Sequence, residues 1–121
     1  MKALQIVKYG EIKDSLAINE IKKPSIKSTD VLIEVKAASI NPIDYKLVNG
    51  SLKSLIPLNL PITIGFDVSG VIVETGEAVT NFKVGDLVYS RVPQNQMGTV
   101  SDYVAVDGAV VSEKPGNILH V

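Results

Sequence analysis

Turn-forming residues recur along the length of this chain. Gly10, Pro24, the stretch from Pro57 to Pro61, Gly76-Glu77, Gly85-Asp86, Gly98, Asp107-Gly108 and Pro115-Gly116 leave only short apolar segments between them. That spacing leaves little room for the helices that connect parallel strands. Many short strands separated by turns point instead to a mainly β chain, folded as a barrel or sandwich.

The segments bear this out one by one. ALQIVKYG and LAINEIKKP read as a hairpin closed by the polar turn from Gly10 to Ser15. In VLIEVKAASI, Val31, Ile33, Val35 and Ala37 alternate with Glu34 and Lys36, the period-2 pattern of a half-buried strand. GVIVETG, DLVYSRV, SDYVAV and the short AVVSEKPG complete the set. One segment departs from the pattern. NPIDYKLVNG places Asn41 at a helix N-cap, Pro42 at the first helical position, Asp44 at the third and Gly50 past the end, which predicts about two helical turns.

Composition narrows the function. The chain has 121 residues, the size of one domain with its own core. Its 12 Lys and Arg nearly cancel 13 Asp and Glu, so neither nucleic acid nor an anionic membrane surface is the expected partner. No cysteine is present, which removes thiol nucleophiles, disulfides and thiolate metal sites together. The N-terminus lacks the apolar core of a signal peptide, and a cytoplasmic setting is expected. With 45% hydrophobic residues the chain is apolar for its size, consistent either with a Val- and Ile-rich strand core or with a face that packs on something else.

The glycine-rich stretch ITIGFDVSGVIVETGEAV raises the possibility of a phosphate-binding loop. Gly65 and Gly70 have the wrong spacing for G-x-G-x-x-G, no Gly-Lys-Ser/Thr follows, and strand-like sequence lies downstream instead of a helix N-terminus. These glycines read as bends and close backbone contacts of a curled sheet. A Ser-His-Asp triad would depend on His120, the single histidine, one residue from the chain end. No Cys and one His leave only scattered carboxylates as metal donors, so no metal site is expected.

Three collinear stretches, AASINPIDYKLVNG, GFDVSGVIVETGEAVTNFKVGDLVYS and GTVSDYVAVDGAVVSEKPGNI, resemble the N-terminal part of the medium-chain dehydrogenase/reductase superfamily. The zinc-independent NADPH:quinone oxidoreductases are the most similar branch, and the resemblance runs from Met1 to about Ile118. It implies a single GroES-like domain over residues 1–121, a strongly bent β-barrel with one or two short helices. Zinc-dependent members carry G-H-E-x-x-G-x-x-x-x-x-G-x-x-V. This sequence keeps Gly65, Gly70, Gly76 and Val79 but has Phe66 for the ligand His and Asp67 for the Glu. Asn41 stands where those enzymes have a ligand Cys. The resemblance therefore implies chemistry without zinc.

Carried over by motif position, the resemblance nominates Asn41, Asp44 and Tyr45 as catalytic, and Asn41, Pro42, Phe66 and Asp67 as cofactor-binding. Asn41 would bond the nicotinamide carboxamide or the substrate oxygen, and Phe66 would wall a quinone or activated alkene. Tyr45 or Lys46 would border the entrance. Some members carry a Tyr two residues beyond the helix Asp, where this chain has Lys46. Each residue also has a purely structural reading: Asn41 and Asp44 as helix caps, Phe66 as core, Asp67 as a turn-bonding carboxylate. Full-length members continue into a Rossmann domain that binds NADPH or NADH. This chain is thus expected to be the substrate half of an oxidoreductase, inactive alone. Two other readings stand beside it, a non-catalytic GroES-like module that forms homo-oligomers and a fragment of a zinc-type alcohol dehydrogenase.

Overall fold

The computed structural model describes residues 1–55, 57–93 and 97–113. The expectations attached to Pro115-Gly116 and His120 lie outside them. Among the described residues, eight strands form two sheets that curl into a half-barrel. The first sheet runs β2-β1-β4, from Lys2–Ile6 (β1), Leu16–Glu20 (β2) and Ile62–Thr63 (β4). The second runs β7-β3-β5-β6-β8, from Asp30–Ala37 (β3), Asp67–Thr75 (β5), Leu87–Arg91 (β6), Tyr103–Asp107 (β7) and Val111–Glu113 (β8). Every pairing is antiparallel.

The predicted hairpin is β1 and β2, in continuous register from Lys2↔Glu20 to Ile6↔Leu16. Its connection is more than a polar turn: Ile12–Ser15 make one helical turn (α1), Ile12 packs on the core and Ser15 is buried. Burial of two side chains in the connection favours this compact turn over a solvated one.

In β3 the alternating face is present, with Val31 and Ile33 fully buried, yet Leu32 between them is buried as well. A register shift against β5 falls between Leu32 and Ile33. That irregularity interrupts strict alternation along the strand. The core collects Val31, Ile33, Ile64, Val68, Ile72 and Val88 from three strands and the connection before β5. Each such side chain contributes about 1.5–3 kcal/mol of burial.

The glycines of the central stretch act by steric clearance. A Cβ at Gly70 would stand 2.1 Å from the Glu34 carbonyl oxygen, and one at Gly76 would stand 2.2 Å from that of Ser28. The β3 backbone and the turn before it therefore pass where side chains would have to be.

The predicted helix is Pro42–Val48 (α2), with Asn41 as N-cap and Pro42 at its first position. Leu47 and Val48 anchor it in the core, and Gly50 closes it at φ +81°. No helix among the described residues is long and apolar enough to cross a membrane.

Candidate functional site

The N-terminus of α2 and the first residue of β5 meet at one rim of the half-barrel. Asp67 is the centre of the contact. Its Oδ1 accepts from the Ser39 N–H at 2.8 Å and the Ser39 hydroxyl at 2.8 Å. Its Oδ2 lies 2.7 Å from the same hydroxyl and accepts from Asn41 Nδ2 at 3.1 Å. Arg91 sits opposite Asp67 in the β5–β6 register, its side chain exposed.

Asp44 lies deeper, 1% exposed. Its Oδ2 accepts from the Asn41 backbone N–H at 2.7 Å, which makes the return bond of a capping box across the first turn. Its Oδ1 is buried without a hydrogen bond, although the nearby Gly65 N–H favours its charge. Thr99 Oγ1, also buried and unbonded, lies beside Gly65, 2.3 Å from where a Cβ would stand.

The two carboxyls are driven apart by their surroundings. Desolvation raises the Asp44 pKa above the ordinary 3.8. The neighbouring Asp67 charge adds to the rise, while the Asn41 and Gly65 N–H groups and Arg91 oppose it. Desolvation also pulls Asp67 upward, but the Ser39 hydroxyl and N–H, the Asn41 amide and Arg91 outweigh it, and its pKa falls below 3.8. Asp67 is thus held as a carboxylate, while Asp44 is the group that resists ionisation.

These opposite shifts predict opposite pH effects. Asp67 contributes stability that is complete above pH 3.8 and is lost as pH falls through its depressed folded value. Ionising Asp44 in the fold costs stability above its raised pKa, and that cost vanishes below 3.8. In urea titrations across pH, Asp67→Asn should flatten the acid limb below 3.8. Asp44→Asn should gain on the parent chain as pH climbs from 3.8 through the raised value. Parallel curves for all three proteins would contradict both assignments.

Of the residues nominated from sequence, Asn41, Asp44 and Asp67 form one hydrogen-bonded group. Pro42 is exposed at the first turn, and Tyr45 is 50% exposed on the solvent side of α2. Phe66 is 5% exposed and belongs to the core, so it presents little surface to a ligand. Its inward direction follows from alternation, since Asp67 beside it points to the rim.

Ser39 joins the group by hydrogen bonds, and Arg91 and Thr99 lie beside it, without having been nominated. A carboxylate at Asp67 among apolar strand residues was the available signal, because such a group needs donors nearby. A separate cavity of about 770 Å³ lies between the two sheets, lined by Gln5, Lys22, Lys27, Thr63, Ser101 and Tyr103 among others. None of the nominated residues lines it. Among the described residues no three His, Cys, Asp or Glu side chains come together as a metal site.

A curled antiparallel half-barrel with a capped helix at its rim is a GroES-like fold, and known structures share it along the whole chain. A quinone oxidoreductase from Coxiella burnetii superposes with a TM-score of 0.91 at 31% identity, over 100% of this chain and 39% of that one. The model of the alcohol dehydrogenase GroES-like domain matches residues 27–116, and the chain belongs to that family.

A quinone-oxidoreductase homolog of Spinacia oleracea chloroplasts is 37% identical over 95% of the chain and 35% of its own length. An NADPH-dependent alkenal/one oxidoreductase of Arabidopsis thaliana chloroplasts is 38% identical over 98% of the chain and 32% of its own length. The chain thus spans about a third of the length of these curated relatives.

Proposed function

We propose that this chain forms the substrate-side half of a zinc-independent oxidoreductase that takes hydride from NADPH or NADH and delivers it to a quinone or an activated alkene. The single observation that carries the reading is the Asn41–Asp67–Ser39 network at the rim, built on the segment that the oxidoreductase relatives share. The names of those relatives supply the substrate classes, and their greater length is where contacts to the rest of the dinucleotide would lie.

The rim residues fit the nicotinamide end. A carboxamide needs one acceptor and one donor, and the half-buried Asn41 amide offers both. The bound cofactor supplies the hydride itself. Asn41 would bind and orient, Asp44 would hold the start of α2 in place, and Tyr45 would border the entrance. The buried wall behind them, Phe66 included, keeps the rim in register with the core.

The reading is tested in a chimaera in which this chain replaces the matching third of the spinach relative. Oxidation of NADPH in the presence of a quinone or an enone is the expected result. Loss of a polar contact of this kind costs about 2 kcal/mol. Asn41→Ala should therefore lower kcat/KM about 30-fold. A folded chimaera that binds NADPH and reduces neither substrate class would rule the function out.

A further inference from the structure

We infer that Asp67 is a positioning residue that fixes the order of donor and acceptor on the Asn41 amide, and thereby makes the rim select a carboxamide over a carboxylate. Naming the carboxamide as that of a nicotinamide rests on the proposed function. The orientation of Asn41 does not.

An ionised carboxylate only accepts hydrogen bonds. Asp67 is held in that state by the Ser39 N–H and hydroxyl and by the Asn41 amide, with donor distances of 2.7–3.1 Å. Asn41 must therefore turn its NH₂ toward Asp67. The reversed amide would set its carbonyl oxygen against carboxylate oxygen, with a bond lost and two acceptors facing each other.

With one Nδ2 hydrogen committed to Asp67, the amide has a single N–H and Oδ1 left to offer. The capping box occupies at most one lone pair of Oδ1, so the oxygen can still accept from outside. A donor beside an acceptor in fixed order complements a primary carboxamide. Facing a carboxylate, Oδ1 would meet oxygen. Ser39 supports the arrangement by saturating the rest of Asp67, and Arg91 keeps its charge in place.

The test uses the ¹⁵N-labelled 121-residue chain, with two probes: reduced nicotinamide mononucleotide and its nicotinic acid counterpart. The Asn41 side-chain amide should show two well-separated proton shifts that move only when acid protonates Asp67. Ser39→Ala should raise the pH at which they move. The carboxamide probe should bind about tenfold more tightly than the acid probe, as for a site that must pair a polar group.

Asp67→Ala and Asp67→Asn remove the same charge, but only the asparagine can still accept from Asn41. Asp67→Asn should keep the separated shifts and most of the carboxamide preference, and Asp67→Ala should lose both. Unchanged methyl shifts of Ile33 and Ile72 identify variants that remain folded. An Asn41 amide indifferent to Asp67→Ala, or a preference unchanged by it, would overturn the inference. If Asn41 follows Asp67 but neither probe shifts any resonance, the orientation stands, and the cofactor reading with its ligand choice is overturned.

Discussion

Gly65→Ala should destabilise the domain by about 3 kcal/mol, more than any surface change. Two effects add at this position. Gly65 holds φ +110°, where an L side chain is strained by about 1–2 kcal/mol. The added methyl would also stand 2.3 Å from Thr99 Oγ1 and 2.8 Å from Val100 Cγ2. Relief by backbone movement is expensive, because the Gly65 carbonyl accepts from the Gly98 N–H at 2.9 Å and so joins two segments of the rim. Overlap of this kind costs about 1–3 kcal/mol.

Gly85→Ala separates the contributions, since Gly85 has φ +98° and open space where its Cβ would lie. It should lose only about 1 kcal/mol. Urea unfolding reads both, and the Gly65 variant should also melt about 10 °C lower. Equal losses at the two positions would show that Thr99 and Val100 yield without cost.

Leu47→Ala should cost a similar amount, about 3 kcal/mol, by a different route. Leu47 is 1% exposed and, with Val48, ties α2 to the core. Deleting its side chain leaves a cavity under the helix whose first turn carries Asn41 and Asp44. The site should suffer without any of its residues being touched. In the chimaera, kcat/KM with NADPH should fall further than the lost stability alone explains at a temperature where the variant is folded. A variant that unfolds earlier but turns over normally when folded would show that the anchoring of α2 does not set the geometry of the rim.

Local chemistry was readable in the sequence wherever neighbours in the chain determine structure. Asn41-Pro42-Ile43-Asp44 encodes its own helix start, because the cap, the proline and the returning carboxylate all act within one turn. The alternation of Val31, Glu34 and Lys36 marked β3, and the glycine spacing marked close contacts before any partner strand was known.

Long-range pairing was harder to read. Ile62–Thr63 forms a strand of two residues only because β1 lies beside it, and nothing local distinguishes it from a loop. Ser39 and Arg91 became site residues only once Asp67 stood between them, one bonded to its carboxylate and one across the β5–β6 register. Phe66 and Asp67 are adjacent in sequence but face opposite environments, a distinction that depends on where β5 begins.

Transfer of the hydride itself is the decisive check on the proposed role of this rim in orienting a nicotinamide. The chimaera would be supplied with NADPH deuterated at both C4 positions and with an α,β-unsaturated ketone, and the product examined by mass spectrometry. The expected product is a saturated ketone carrying one non-exchangeable deuterium on carbon, with the yield cut sharply by Asn41→Ala. An unlabelled product, or a folded, NADPH-bound chimaera that forms none, would contradict it.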